Sequence, residues 1–191
     1  MRIVLLGAPG SGKGTQAAIL TEHLGVPHIS TGVLLRAAVE AGTELGAKAR
    51  SIMDRGELLP DDIMLDLIEE RLQAPDAEPG FVLDGYPRNL SQAASLDGLL
   101  DRLEKPLDIA IQIDVDAEQV IRRIARRAAE EGRSDDSEET VRTRMQVYEE
   151  QTAPVVDHYA RKGLLTQVFG EGSIEDVNQR IMAVLKAEAI D

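Results

Sequence analysis

Four glycines fall within the nine residues GAPGSGKGT, Gly7 to Thr15, and Lys13 stands among them. Gly7, four intervening residues, Gly12 and Lys13 reproduce the spacing of a phosphate-binding loop. Successive backbone N–H groups converge on one anion only where no Cβ obstructs the approach, and a lysine adds a point charge between the outer phosphates. Gly10, Ser11, Gly12, Lys13, Gly14 and Thr15 are therefore the candidates for holding a triphosphate. A second group lies in FVLDGYPRNLSQ, Phe81 to Gln92. Asp84 ends an apolar run, where an acid facing the loop can bind the water of a Mg²⁺ ion, and Arg88 projects a planar fork suited to a phosphate. Gln92 carries an amide that can both accept and donate a hydrogen bond. A third group is the arginine-rich stretch Val120 to Met145, in which Arg123 and Arg127 share a helical face and Arg133 and Arg144 follow. Arg122, Arg126 and Arg142 read as a solvated face.

The elements that must position these residues are legible as apolar or β-rich runs at Ile3 to Leu6, Pro27 to Ile29, Phe81 to Leu83, Ile109 to Val115 and Leu164 to Phe169. Helical patterns separate them. Such alternation predicts an α/β fold with a five-stranded parallel sheet covered by helices on both faces, similar to the three-layer sandwich of P-loop nucleoside triphosphate hydrolases. In that arrangement ligands sit beyond the strand C-termini, and each chemical group above falls at or after such an end. The length of 191 residues suits one domain, with small mobile insertions inside it.

Composition narrows the partners. A formal net charge of −13 argues against nucleic acid or an anionic membrane, which both need a basic footprint. The chain has no cysteine, which excludes disulfides and thiolate zinc ligands and suits a reducing cytoplasm. No apolar run approaches the ~20 residues of a membrane span, and a signal peptide would have to consume the glycine-rich loop. With three Tyr, two Phe and no Trp, a purine would be held by arginine planes or aliphatic side chains.

The loop departs from the general pattern at Gly14, where Ser or Thr would hold Mg²⁺; the hydroxyl comes one residue later, at Thr15. This GKGT form resembles the nucleoside monophosphate kinases, which implies a metal held largely through phosphates and waters and a second, acceptor nucleotide. ISTGVLLRAAV, Ile29 to Val39, sharpens the resemblance to the adenylate kinase family. Ser30 and Thr31 can cap a helix that carries Arg36 on its second turn. The resemblance places Thr31 and Gly32 near the AMP adenine and Arg36 on the AMP phosphate. MDRGELLPDD, Met53 to Asp62, looks like the segment that closes over AMP, with Met53, Glu57, Leu58 and Leu59 along the base. Gly85, Tyr86, Pro87, Arg88 and Gln92 would complete the AMP site.

By the same resemblance Arg123 and Arg127 contact ATP, Arg133 and Arg144 hold AMP and the phosphoryl group in transfer, and the backbone near Gly172 receives the adenine edge of ATP. The catalytic set is then Lys13, Arg88, Arg123, Arg133 and Arg144, with Asp84 binding Mg²⁺ through water. Residues 30–59 form the AMP-binding segment and residues 126–136 a short lid, both mobile; no structural zinc is implied. Gln151 and Thr152 are placed to touch that lid, and His23, His28 and His158 to be structural or surface residues. Two positions depart from the family: Val33 stands where Asp helps order the metal's waters, and Arg126 where Gly is common.

The implied reaction is ATP + AMP ⇌ 2 ADP, serving adenine nucleotide homeostasis and salvage, in a cytoplasmic monomer. AMP, whose second phosphate pKa is about 6, is already a dianion near pH 7, so no general base is needed. Two other readings stay open. A UMP/CMP or other nucleoside monophosphate kinase would share all but the base-reading residues. A nucleotide sensor or GTPase-like switch would use the loop alone, with no need of Arg36, DGYPR and Gln92. A dinucleotide-binding fold fails, because the glycines do not give G-x-G-x-x-G and Lys13 would be unexplained.

Overall fold

The computed structural model describes residues 1–132 and 136–188. Five strands, β1 (Arg2–Leu6), β2 (His28–Ser30), β3 (Phe81–Asp84), β4 (Ile109–Asp114) and β5 (Leu165–Phe169), form one parallel sheet in the order β2-β3-β1-β4-β5. They lie within one residue of the apolar runs that predict them. The reason is elementary: a strand covered on both faces must be apolar on both, so its whole length stands out.

Alternation along each strand sorts the side chains into two layers. Ile3 and Leu5 of β1 pack on one side with Ile109, Ile111 and Ile113 of β4, against Ala17 and Leu20 of α1 (Lys13–Leu24) and Val177, Ile181 and Leu185 of α9 (Ile174–Glu188). Val4 and Leu6 face the other way. Their layer holds Ile29, Phe81 and Leu83, covered by α4 (Asp61–Leu72), α5 (Leu90–Arg102) and α8 (Ala153–Arg161). Leu35 of α2 (Thr31–Glu40) and Ala49 of α3 (Glu44–Asp54) join the same layer, and these two helices make up most of the 30–59 segment.

Helix starts follow local chemistry. The Ser30 hydroxyl accepts from the Val33 N–H at α2, Thr43 from Gly46 at α3, and Asn89 from Gln92 at α5. At α1 the capping position is Gly12 in the left-handed region, with no side-chain cap. The positive end of α1 is thus left to whatever enters the loop.

The helix α6 (Ala117–Glu131) carries the arginine face and continues through residues 126–131 of the expected lid segment. Gly132 ends it in the left-handed conformation. Arg133 lies outside the described residues, and α7 (Glu138–Val147) resumes the chain before a single π-helical turn, Tyr148–Thr152, leads into α8.

Candidate functional site

Strand register brings the C-termini of β1, β2 and β3 side by side, with Leu5 opposite Asp84 and Ser30 opposite Asp84. The phosphate loop leaves β1 next to that acid. Gly10 adopts φ +79°, and a Cβ there would come within 2.6 Å of Ile124 on α6, so glycine lets the loop seat against that helix. Lys13 folds back over its own loop, donating from Nζ to the carbonyls of Gly7 at 2.7 Å and Ala8 at 2.9 Å and to Ser11 Oγ at 3.3 Å. Ser11 is buried beneath it, while Gly14 and Thr15 are exposed on the first turn of α1.

Burial pushes the Lys13 ammonium down to about 8, with Asp84 opposing and Arg88, Arg144 and Arg127 adding to the fall. Asp84 responds in the other direction. Burial resists its ionisation, but His28, Lys13 and Arg88 outweigh that and hold the carboxyl below the usual range. His28 Nε2 lies 3.4 Å from Asp84 Oδ2.

Arg123 spans two loops: one Nη donates to Ser11 O at 3.1 Å and the other to Gly170 O at 2.9 Å. Beyond Gly170, Gly172 sits at φ +110° in a loop held by Arg180, which donates to the carbonyls of Phe169 and Glu171. Arg127 and Arg144 meet on Asp136, whose side chain is fully enclosed. Arg127 Nε donates to Asp136 Oδ2 at 2.7 Å and Arg144 Nη1 to Oδ1 at 3.0 Å.

On the other side of Asp84 a cleft opens. Thr31, Gly32 and Arg36 of α2 form one wall. Met53, Glu57, Leu58 and Leu59 form a second, and Gly85, Arg88, Gln92 and Arg144 the third. Arg36 folds over Gly32, where a Cβ would stand 3.2 Å from its guanidinium nitrogens. The Thr31 hydroxyl donates to Gly85 O at 2.9 Å, and Arg88 Nε donates to the same carbonyl at 2.7 Å. Gly85 itself is at φ +81°, with Thr31 Oγ1 2.6 Å from where a Cβ would be.

Tyr86 and Pro87, also read as AMP-site residues, are buried, and the Tyr86 ring belongs to the core layer with Tyr159. Neither lines the cleft. Thr152, expected at the lid, donates instead to Arg88 O at 2.7 Å, tying the end of the π turn to the DGYPR loop.

Three residues were not singled out as functional from sequence. Asp136 gathers two arginines, His28 stands against Asp84, and Asp61 accepts from Gln92 Nε2 at 2.9 Å. The acid-rich run after Arg133 was a signal for Asp136; the pairings of His28 and Asp61 cross between distant segments and leave none. Among the described residues, no three His, Cys, Asp or Glu side chains come together as a metal cluster, and no helix is long and apolar enough to cross a membrane.

A glycine-rich loop at the end of a central parallel strand, an ionised acid opposite it and a cleft lined by arginines beside them define a P-loop nucleotide-binding α/β protein. The sequence matches the family model for adenylate kinase over residues 5–164. It is 56% identical over 187 residues to an adenylate kinase of Stenotrophomonas maltophilia (strain K279a), covering 98% of this chain and 100% of the relative. Against an adenylate kinase of Thermobifida fusca (strain YX) it is 53% identical over 189 residues, covering 99% and 100%. For one of Xylella fastidiosa (strain 9a5c) the figures are 53% over 185 residues, 97% and 99%. The chain belongs to the adenylate kinase family.

The depressed Lys13 predicts a proton linkage. Above pH about 8 the ligand-free lysine is partly neutral, and a triphosphate seated beside it restores the charge, so binding takes up a proton. Calorimetry of ATP binding at pH 8.5, in buffers of different ionisation enthalpy, should show uptake that shrinks toward pH 7 and disappears in Lys13→Met.

Proposed function

We propose that this chain transfers the terminal phosphoryl group of Mg·ATP to AMP, reversibly, giving two ADP. The carrying observation is that Arg36, Arg88, Gln92 and Arg144 share one cleft beside the phosphate loop. A nucleotide sensor or switch has no use for that second, cationic cleft. Family membership over nearly the whole chain supports the same reading.

On this reading Gly10 to Thr15 hold the ATP phosphates, Arg123 and Arg127 flank them, and the loop at Gly172 takes the adenine. Thr31, Gly32, Arg36, Met53, Glu57, Leu58, Leu59, Gly85, Arg88 and Gln92 receive AMP, Tyr86 and Pro87 supporting them from the core. Arg133, outside the described residues, and Arg144 hold AMP and the phosphoryl group in transfer, as the family resemblance implies. Attack by one polyanion on another is slow chiefly through charge repulsion, so catalysis is positioning plus electrostatic stabilisation. Lys13 and the arginines carry that work, and the acceptor phosphate needs no base. Segments 30–59 and 126–136 closing over the nucleotides would exclude water, so reopening would limit turnover.

The donor set fits magnesium. One ionised carboxylate, Asp84, stands beside the loop, and a single carboxylate suits an ion that keeps waters and phosphate oxygens as ligands. When bound there, Mg²⁺ supplies charge neutralisation of the phosphates. Family membership and the net charge of −13 further support a cytoplasmic monomer that binds neither nucleic acid nor membrane.

Initial rates from Mg·ATP to AMP, CMP, UMP and GMP test the assignment: rapid ADP formation with AMP alone is expected. Preference for a pyrimidine would overturn the base-reading residues, and no transfer to any acceptor would overturn the function. Arg88→Ala should cost on the order of 3 kcal/mol in kcat/KM for AMP; a change under about threefold would remove Arg88 from the site. Val33 is 54% exposed on the first turn of α2. Val33→Asp should raise the rate or lower the Mg²⁺ concentration needed for half-maximal activity, and coincident Mg²⁺ titrations for the two proteins would show that position 33 does not act on the metal.

A further inference from the structure

Gln92 lines the cleft yet is only 1% exposed, and both ends of its amide are already engaged. Oε1 accepts from the Arg88 backbone N–H at 2.8 Å, and Nε2 donates to Asp61 Oδ1 at 2.9 Å. Asp61 is the first residue of α4. The same Oδ1 accepts from Asn89 Nδ2 at 3.0 Å, while Asn89 Oδ1 accepts from the Gln92 backbone N–H at 2.8 Å. The starts of α4 and α5 are thereby knitted around one side-chain amide.

The chemistry of the two partners decides which way that amide faces. A carboxylate can only accept, and a backbone N–H can only donate. Turning the amide over would set its oxygen against the Asp61 carboxylate and its NH₂ against the Arg88 N–H, losing two hydrogen bonds in a buried place. Burial resists ionisation of Asp61, but hydrogen bonds from Asn89, Gln92 and Ser91 outweigh it and hold the carboxyl below the usual range, so it stays an acceptor at any assay pH near neutrality.

An amide has two N–H groups and two carbonyl lone pairs, and one of each is spent inside. What Gln92 offers the cleft is one N–H and one lone pair in a fixed order. The six-membered edge of adenine presents a donor at N6 and an acceptor at N1. A 6-oxopurine presents the reverse, an acceptor at O6 and a donor at N1. A freely turning amide would match either edge; a locked one matches a single order.

We propose that Asp61 is a specificity-determining positioning residue, which locks the Gln92 amide in the orientation that reads a 6-aminopurine acceptor and rejects a 6-oxopurine. This rests on the reading of the cleft as the AMP site. Asp61 touches no reacting atom and acts only through Gln92.

The test compares kcat/KM for AMP and IMP with Mg·ATP in the full chain, IMP differing from AMP only along this edge. Transfer to AMP by the parent is measured first, and its absence would overturn the function proposed for the cleft rather than the lock. In Asp61→Asn the shape is kept, but the side chain can donate as well as accept, so one of the two hydrogen bonds that oppose turning is lost and only the Arg88 N–H still holds the amide. Asp61→Ala removes the acceptor altogether. The AMP:IMP ratio should fall about tenfold or more in either variant, and Asp61→Asn should change the ratio little further when Gln92 is already Leu. If both substitutions slow AMP and IMP in equal proportion, leaving the ratio as in the parent, Asp61 is structural only and the proposal is wrong.

Discussion

Like charges repel, and the site depends on two carboxylates that make a crowd of cations tolerable. Asp84 faces Lys13, His28 and Arg88, and Asp136 holds Arg127 and Arg144. In a chain whose net charge is −13, the positive residues at the strand ends are a local inversion of the overall field. Without the two acids, the mutual repulsion that adds to burial in depressing Lys13 would act on the arginines unopposed. With them, the cations stand gathered beside the phosphate loop.

The sheet supplies the second condition. Because all five strands are parallel, their C-termini lie on one edge, and the loop after β1, the acid ending β3 and the cap at Ser30 become neighbours without any special connection. The loop after β5 joins them through Arg123. The cleft then uses the same edge on its other side, with Gly85 serving Thr31 and Arg88 alike.

Much of this was legible in the sequence, for reasons that differ by element. The strands show because burial on both faces demands unbroken apolar runs, and the phosphate loop because its glycines are forced by close approach. Eleven residues assigned to an AMP site by resemblance line one cleft: Thr31, Gly32, Arg36, Met53, Glu57, Leu58, Leu59, Gly85, Arg88, Gln92 and Arg144. What stayed hidden were partnerships between distant segments. Gln92 and Asp61 are 31 residues apart, and no periodicity links a helix start on α4 to one on α5. Thr152 and Arg88 are 64 apart, so a hydroxyl read as serving the lid serves the DGYPR loop. Tyr86 stands between Gly85 and Arg88 of the cleft lining, yet its ring packs into the core layer with Tyr159.

The Arg123 bridge has a metric consequence. One guanidinium grips Ser11 O in the phosphate loop after β1 and Gly170 O in the loop after β5, and β4 lies between those strands. A guanidinium bonded at 3.1 and 2.9 Å through its two Nη atoms holds those two carbonyl oxygens closer together than the roughly 10 Å of two strand spacings. The two loops that would receive the opposite ends of a donor nucleotide are therefore stapled at a set separation, and the bridge works as a caliper. A donor would be judged by its length from base to phosphate as well as by its base, with the gauge set by the reach of one guanidinium.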